Sequence, residues 1–409
     1  MKMRVEIRVK ARVRRMLQYP ARSREWAASI TRIFLLPVVL SVALVVGLVW
    51  GMPGGVPVPS DSNVSAYSTK VVSKVGWPDG RYVSFRDPQA LALDSKGRLF
   101  VADVGSREVY VLDKNYRLEA IIGNTSNATI RTPGMNLPGD VAFDSAGRLY
   151  VCDWQVDAVH IFDPNLSYLG SVPLPNGFAS CIAVDSKDRL IVGHYRLGGR
   201  SGLLVFTANE SDPTHGSMIL QNSFQICPPG EDCTGLYGSP DDITVDSQGR
   251  IIVAEGPTME QVDLNRRTVR VVVLDEEFRW LMSFGSFGDW PGALVGIHSV
   301  AVDPSGVFVV ADGANRISFF FPNGTYAGRV GASGSDPGKF SGLGGLLVVG
   351  PGRILVPEYF NDRIQEVLVD IPSLRPISIS EFGALAIIAL CAGVAYARND
   401  RAERPILCA

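Results

Sequence analysis

The chain repeats one hairpin. "ALALDSKGRLFVAD" (residues 90–103) returns as "DVAFDSAGRLYVCD", "CIAVDSKDRLIVGH", "DITVDSQGRIIVAE" and "SVAVDPSGVFVVAD", and a shorter sixth copy reads "LLVVGPGRILVPE". Such a repeat constrains the fold more than any single motif, because every copy must adopt the same local structure and find cover for the same surfaces. Aligned on the turn, the copies place Asp94, Asp144, Asp185, Asp246, Asp303 and Gly350 in register, at intervals of 50, 41, 61, 57 and 47 residues. Asp opening the turn and Gly within it are hairpin chemistry. The flanking strands, such as "RLFVAD" and "RIIVAE", are apolar at successive positions and therefore on both faces. That is the pattern of a strand sandwiched between two layers.

A third, more polar strand follows ("REVYVLD", "DAVHIFD", "TVRVVVLD", "NRISFFF"), then a fourth such as "RLEAIIG" or "YAGRVG". Four antiparallel strands in each repeat describe a propeller blade, and six repeats give an all-β, six-bladed β-propeller over residues 67–371. The last copy supplies only three strands, "GLLVVG", "RILVPE" and "RIQEVLVD". The upstream stretch "YSTKVVSKVG", residues 67–76, is expected to complete the sixth blade as its outer strand and so remove an open seam.

Composition bears on partners and place. With 46% hydrophobic residues and a net charge of −2, the chain lacks the basic face that nucleic acid requires. Its charge is uneven, however. Residues 1–32 carry ten Lys or Arg against Glu6 and Glu25, and residues 33–52, "IFLLPVVLSVALVVGLVWGM", carry none. This reads as a basic cytoplasmic segment followed by a signal peptide or signal-anchor helix. After a linker (53–66), the propeller and a second linker (372–380), a membrane or sorting helix is expected at 381–397, apolar from Phe382 to Ala397 and closed by the basic cytoplasmic tail 398–409. Both apolar runs are basic on their outer sides, so the expectation is a propeller tethered to the cell membrane and facing outside. Six of the fourteen Asn begin N-x-S/T (Asn63, Asn124, Asn127, Asn165, Asn209 and Asn323), and all six lie in the exported part as glycosylation candidates. An oxidising exterior also makes disulfides reasonable for Cys227 with Cys233 ("CPPGEDC"), and for Cys152 with Cys181 at the same end of neighbouring blades.

The copies resemble NHL repeats, with Val-Ala-Val-Asp, then Val-Ala-Asp, then Asn-x-Arg-Ile. "DGANRISFFFPNGTYAGRVGASGSDPGKF" carries the pattern most fully, and "EYFNDRIQEV" keeps Asn361, Arg363 and Ile364. The likeness covers about Tyr67 to Ile371 and implies the propeller fold; the family itself includes scaffolds, ligand readers and a few enzymes. The tail "SISEFGALAIIALCAGVAYAR" resembles the C-terminal sorting signals of archaeal surface proteins, with Ser380 where that pattern has proline.

Two columns of residues are expected to gather at one mouth of the central channel. Five positions before each turn stand Gln89, Gly139, Ser180, Asp241, His298 and Gly345. In the peptide-amidating lyases that share this propeller type, histidines in this column hold zinc; here only His298 matches, where three imidazoles are needed. Asp241 and His298 are thus candidate metal ligands for zinc. Asp140 and Asp242, one step along, extend the set toward a calcium ion, and Gln89 completes the candidate binding residues. The second column, Asp103, Asp153, His194, Glu255, Asp312 and Glu358, reads mainly as structural acids that cap turns and pair with Arg, as Asp312 with Arg316 and Glu358 with Arg363. His160 and His215 fit no column. Longer loops at residues 206–240 and 254–270 are where a rigid propeller builds binding surface. Two readings follow. One is a surface module that binds a protein, peptide or glycan; the other is a secreted hydrolase or lyase with a metal ion in its channel.

Overall fold

The computed structural model describes residues 65–175, 177–195, 201–209, 217–224, 238–257 and 268–370. These lie within one unit, Val58–Pro372. Their strands form a six-bladed β-propeller. Blade 1 runs Pro88–Leu93, Leu99–Asp103, Glu108–Leu112 and Leu118–Gly123, with a short parallel addition at Ile130–Arg131. Blade 2 is Pro138–Phe143, Leu149–Asp153, Ala158–Phe162 and Tyr168–Pro173; blade 3 is Phe178–Val184, Leu190–Tyr195, Gly202–Ala208 and Met218–Phe224. Blade 4 is Ser239–Val245, Ile251–Gly256, Arg270–Leu274 and Trp280–Phe284; blade 5 is Ile297–Val302, Phe308–Asp312, Arg316–Phe320 and Tyr326–Val330. Blade 6 takes Leu347–Gly350, Arg353–Glu358 and Arg363–Asp370 from the end of the ring, and Ser65–Val72 from its beginning.

Closure therefore joins the two ends of the ring. Ser65 pairs with Asp370 and Val72 with Ile364, antiparallel, in the outermost position of blade 6. The stretch expected as one strand is divided in two. Lys74–Gly76 leaves the sheet and turns back on Tyr82–Ser84 as a separate hairpin, and Val75 and Phe85 are buried in the seam between blades 6 and 1.

The repeated Asp-Ser-x-Gly-Arg turn is held by a clamp. Asp94 Oδ1 accepts the N–H groups of Lys96 and Arg98 at 2.9 and 2.8 Å, while its Oδ2 accepts Arg98 Nε at 2.7 Å. Asp144 with Arg148, Asp185 with Arg189 and Asp246 with Arg250 repeat the pairing. Gly97 supplies φ +75° in the turn, a conformation a Cβ would strain. Some clamps reach the next blade: Arg189 lies over Phe278 and Arg250 over Phe308.

The core is divided among the blade interfaces. Phe100, Ala102, Val109 and Val111 of blade 1 meet Val141, Leu149 and Val151 of blade 2, and an equivalent cluster fills each of the other five interfaces, including that between blades 6 and 1. Both faces of each inner strand are thus removed from water, at about 1.5–3 kcal/mol for each large side chain.

Cys152 and Cys181 are free and buried, and the bridge expected between them is not formed. Cys152 packs in the interface between blades 2 and 3. Cys181 turns to the opposite face of blade 3, among Ile243 and Val253 of blade 4, with Sγ 3.6 Å from the Pro240 carbonyl. Cys227, Cys233 and Asn63 lie outside the described residues, as do both terminal apolar runs. Among the described residues no helix is long and apolar enough to cross a membrane. Asn124, Asn127, Asn165 and Asn323 are exposed, and Asn209 is half-buried.

Replacing residues 65–72 by a Gly/Ser linker of equal length should unzip blade 6 and lower the unfolding temperature on the order of 10 °C. Calorimetry checks this, and an unchanged transition would show that the ring does not depend on this strand.

Candidate functional site

The first strand of every blade lines the channel, and in most blades it carries an extra residue near its start. In blade 1, Pro88 pairs with Asp103 and Ala90 with Ala102, leaving Gln89 without a partner across the sheet. The same bulge isolates Gly139, Ser180, Asp241 and His298. A bulge re-aims the side chain of its extra residue, and here all of them converge. Gln89, Gly139, Ser180, Asp241, His298 and Gly345 line one cavity of about 480 Å³, with Asp140 and Asp242 beside them. A second space of about 220 Å³ continues along the channel from Asp140 and Asp242.

Trp154, Phe178 and Tyr359 also line the mouth, and none of them stood out in the sequence. A signal for two of them exists. The residue after each second-column position is Val104, Trp154, Tyr195, Gly256, Gly313 and Tyr359. At two large bulge residues this follower is glycine, Asp241 with Gly256 and His298 with Gly313, whereas Gln89 has Val104. Where the bulge residue is glycine, Gly139, the follower is the aromatic Trp154, and in blade 6 the follower Tyr359 packs on Gly342. The geometry shows why. A Cβ on Gly256 would sit 1.9 Å from Asp241 Oδ2, and one on Gly139 would sit 1.9 Å from the Trp154 ring.

The carboxylates divide into two roles. Asp140 Oδ1 accepts the Val141 N–H at 2.8 Å and its Oδ2 accepts Ile182 N–H of blade 3 at 2.7 Å. Asp242 does the same between its own Ile243 and Val300 of blade 5, at 2.8 and 2.9 Å. Each thereby bolts one blade to the next. The Ser299 hydroxyl continues the ring by accepting Leu346 N–H, and Gly345 N–H donates to the Gln89 carbonyl across the closing seam. Asp241 makes no bridge to another blade: Oδ1 accepts the Ser239 hydroxyl at 3.0 Å, and among the described residues Oδ2 has no hydrogen-bond donor. His298 has none either; its ring meets Tyr359 edge-on with centroids 6.4 Å apart.

Burial sets the charge of these groups. Desolvation pushes Asp241 up to about 7, with Ser239 opposing and Asp242 and Glu255 adding to the rise. Asp242 stands at about 6 for the same leading reason, offset by Ser299 and the Val300 and Ile243 N–H groups. Asp140 is raised well above the usual carboxylate range by desolvation and then by Asp242. His298 is exposed to solvent at the mouth, while the atoms crowded around its ring lower its pKa by desolvation against the pull of Asp312.

The second column is structural. Asp312 accepts Arg316 Nε at 2.7 Å and Glu358 accepts Arg363 Nε at 2.6 Å, while Asp103 caps the N–H groups of Ser106 and Arg86. His160, which no sequence column contains, stands 3.4 Å from Asp153. Among the described residues no three His, Cys, Asp or Glu side chains gather as a metal site. The longer loops read from the sequence fall largely outside the described residues.

No family model matches the chain, and no curated protein does. Among solved structures it is similar to a protein of unknown function from Bacteroides thetaiotaomicron (TM-score 0.50, 12% identity, 75% of this chain and 76% of that one). It is also similar to a streptogramin B lyase (0.47, 10%, 75% and 97%) and to virginiamycin B lyase from Staphylococcus aureus (0.45, 11%, 75% and 99%). At such identities the likeness is one of fold and extends no further.

The raised pKa of Asp241 fixes a stability prediction. A carboxyl that holds its proton more tightly when folded stabilises the fold below its unfolded pKa, 3.8, and loses that contribution as pH rises through about 7. Asn mimics the protonated form at every pH. Asp241→Asn should match the parent at pH 4 and exceed it at pH 8 by on the order of 1–2 kcal/mol, allowing for the solvent that reaches the mouth. Denaturant titrations at both pH values test it, and an equal effect at both would refute the assignment.

Proposed function

We propose that the chain is an NHL-type propeller acting as a membrane-tethered binding module, exported to the cell surface, with its ligand seat at the channel mouth. The observation that carries this reading is the convergence of the bulge residues on one cavity, where Asp241 Oδ2 and the His298 ring have no hydrogen-bond partner among the described residues. The partner is a protein, peptide or glycan that enters this mouth. Exposed sequons at Asn124, Asn127, Asn165 and Asn323 suit an outside location, as do the two apolar runs with basic outer flanks.

The donor set does not fit the metal-centred alternative. A zinc lyase of the resembling kind needs three imidazoles, and His298 stands alone in its column. Calcium would need free carboxylate oxygens, yet the oxygens of Asp140 and Asp242 are taken by backbone N–H groups.

Two measurements test the reading. On intact cells a membrane-impermeant lysine reagent should label the exposed Lys96 and Lys114; labelling only after lysis would place the propeller inside. A photo-crosslinking residue at position 178 should yield an adduct that disappears when His298→Trp fills the mouth, whereas one at Lys187, at the other end of blade 3, should not. Equal adducts from both positions would remove the mouth as the ligand seat.

A further inference from the structure

We propose that the ligand group seated in the channel mouth is an ammonium cation on an apolar stem, received by Asp241 and enclosed by Trp154, Phe178 and Tyr359. This deepens the binding reading above and rests on it.

Charge is the first argument. Among the described residues the cavity is lined by Asp140, Asp241 and Asp242, and no Lys or Arg shares it. Burial without a countercharge is what raises these carboxyls, and a cation seated beside them would favour the ionised form, whose field a low-dielectric concavity focuses outward. Asp87 and Asp362 lie in the same neighbourhood, with Asp362 acting on Asp87 and Asp87 on Tyr359.

The hydrogen-bond inventory is the second argument, and it is independent of net charge. The donors among the lining side chains are largely spent inside the protein. Trp154 Nε1 donates to the Ser180 carbonyl at 2.9 Å, the Ser180 hydroxyl to the Pro240 carbonyl, and Gln89 Nε2 to Asp87 at 2.6 Å. What remains toward the cavity is Asp241 Oδ2, an acceptor when ionised, and the Gln89 amide oxygen. The His298 ring and the Tyr359 hydroxyl can each donate or accept. An alkylammonium brings three donors and no acceptor, so it satisfies this set, whereas a carboxylate or phosphate would meet acceptors and negative charge.

The aromatic lining is the third. Trp154 and Tyr359 line the cavity, aromatic rings attract cations over their faces, and Phe178 is 43% exposed. A cavity of about 480 Å³ exceeds a bare ammonium and accommodates a stem, as small-ligand sites generally do.

Binding to the full-length chain is measured by calorimetry for three isosteres: phenethylammonium, 2-phenylethanol and phenylacetate. The ammonium is expected to bind at least tenfold more tightly than the alcohol, with phenylacetate weaker still. Asp241→Asn should erase the preference for the cation while leaving the alcohol unchanged, and Phe178→Ala should weaken both. A blocked pentapeptide with one central Lys, beside its Nε-acetyl form, separates the sources. Tenfold tighter binding of the Lys peptide than of phenethylammonium assigns the cation to a polypeptide; the reverse assigns it to a free amine. Alcohol and ammonium binding within threefold of each other, or a cation preference that survives in Asp241→Asn, overturns the cation inference and leaves the ligand seat standing. Failure of all the probes to bind overturns both.

Discussion

Every blade of this protein has two apolar faces, and a sheet with two apolar faces is stable only when both are covered. The ring is the solution, and its last interface depends on the pairing of Ser65–Val72 with Arg363–Asp370. Without that strand the sixth blade would end in an open edge. The cluster of Val101, Tyr110, Leu355 and Ile364 would then rest on a seam held by side chains alone. The turn clamps serve the same end from outside. Asp185 fixes Arg189, and Arg189 covers Phe278 of the next blade.

A rigid ring gives the channel its chemistry by a local irregularity. A regular strand would alternate its side chains between the two blade faces and send them into the interfaces. The bulge at Gln89, Gly139, Ser180, Asp241 and His298 breaks that alternation once and turns one residue per blade into the mouth. Immediately beside it, Asp140 and Asp242 use their carboxylates to hold N–H groups of the following blade. Structure and site therefore share one strip of sequence. That sharing explains the raised pKa values: the bolts are buried where blades meet, so desolvation lifts Asp140 and Asp242, and for Asp140 the neighbouring Asp242 adds to the rise.

Much of the site was legible because repeats align residues that become neighbours in the ring. Gln89, Asp241 and His298 stand in one column, and the ring brings that column to one cavity. Trp154 and Tyr359 are not legible in a single column because their meaning lies in a pairing across strands: each fills the volume left by a glycine in the bulge column or the segment beside it. Phe178 lies outside both columns and was not legible at all. The Cys152–Cys181 bridge expected from the sequence rests on end-to-end proximity. It fails because proximity of positions says nothing about which face of a strand a side chain takes, and the two thiols belong to different interfaces.

The sequence by itself determined the number of blades, the order of strands within each, the turn chemistry and the identity of the residues near the channel. These are local or repeated features, written in alternation, in Asp and Gly at turns, and in self-similarity. The tertiary structure decided which carboxylate oxygens remain available. Asp140, Asp241 and Asp242 are indistinguishable as letters, yet two are spent on neighbouring blades and one is not. That difference depends on where the next blade's N–H groups fall, a distance set by the closed ring and by nothing in the local sequence.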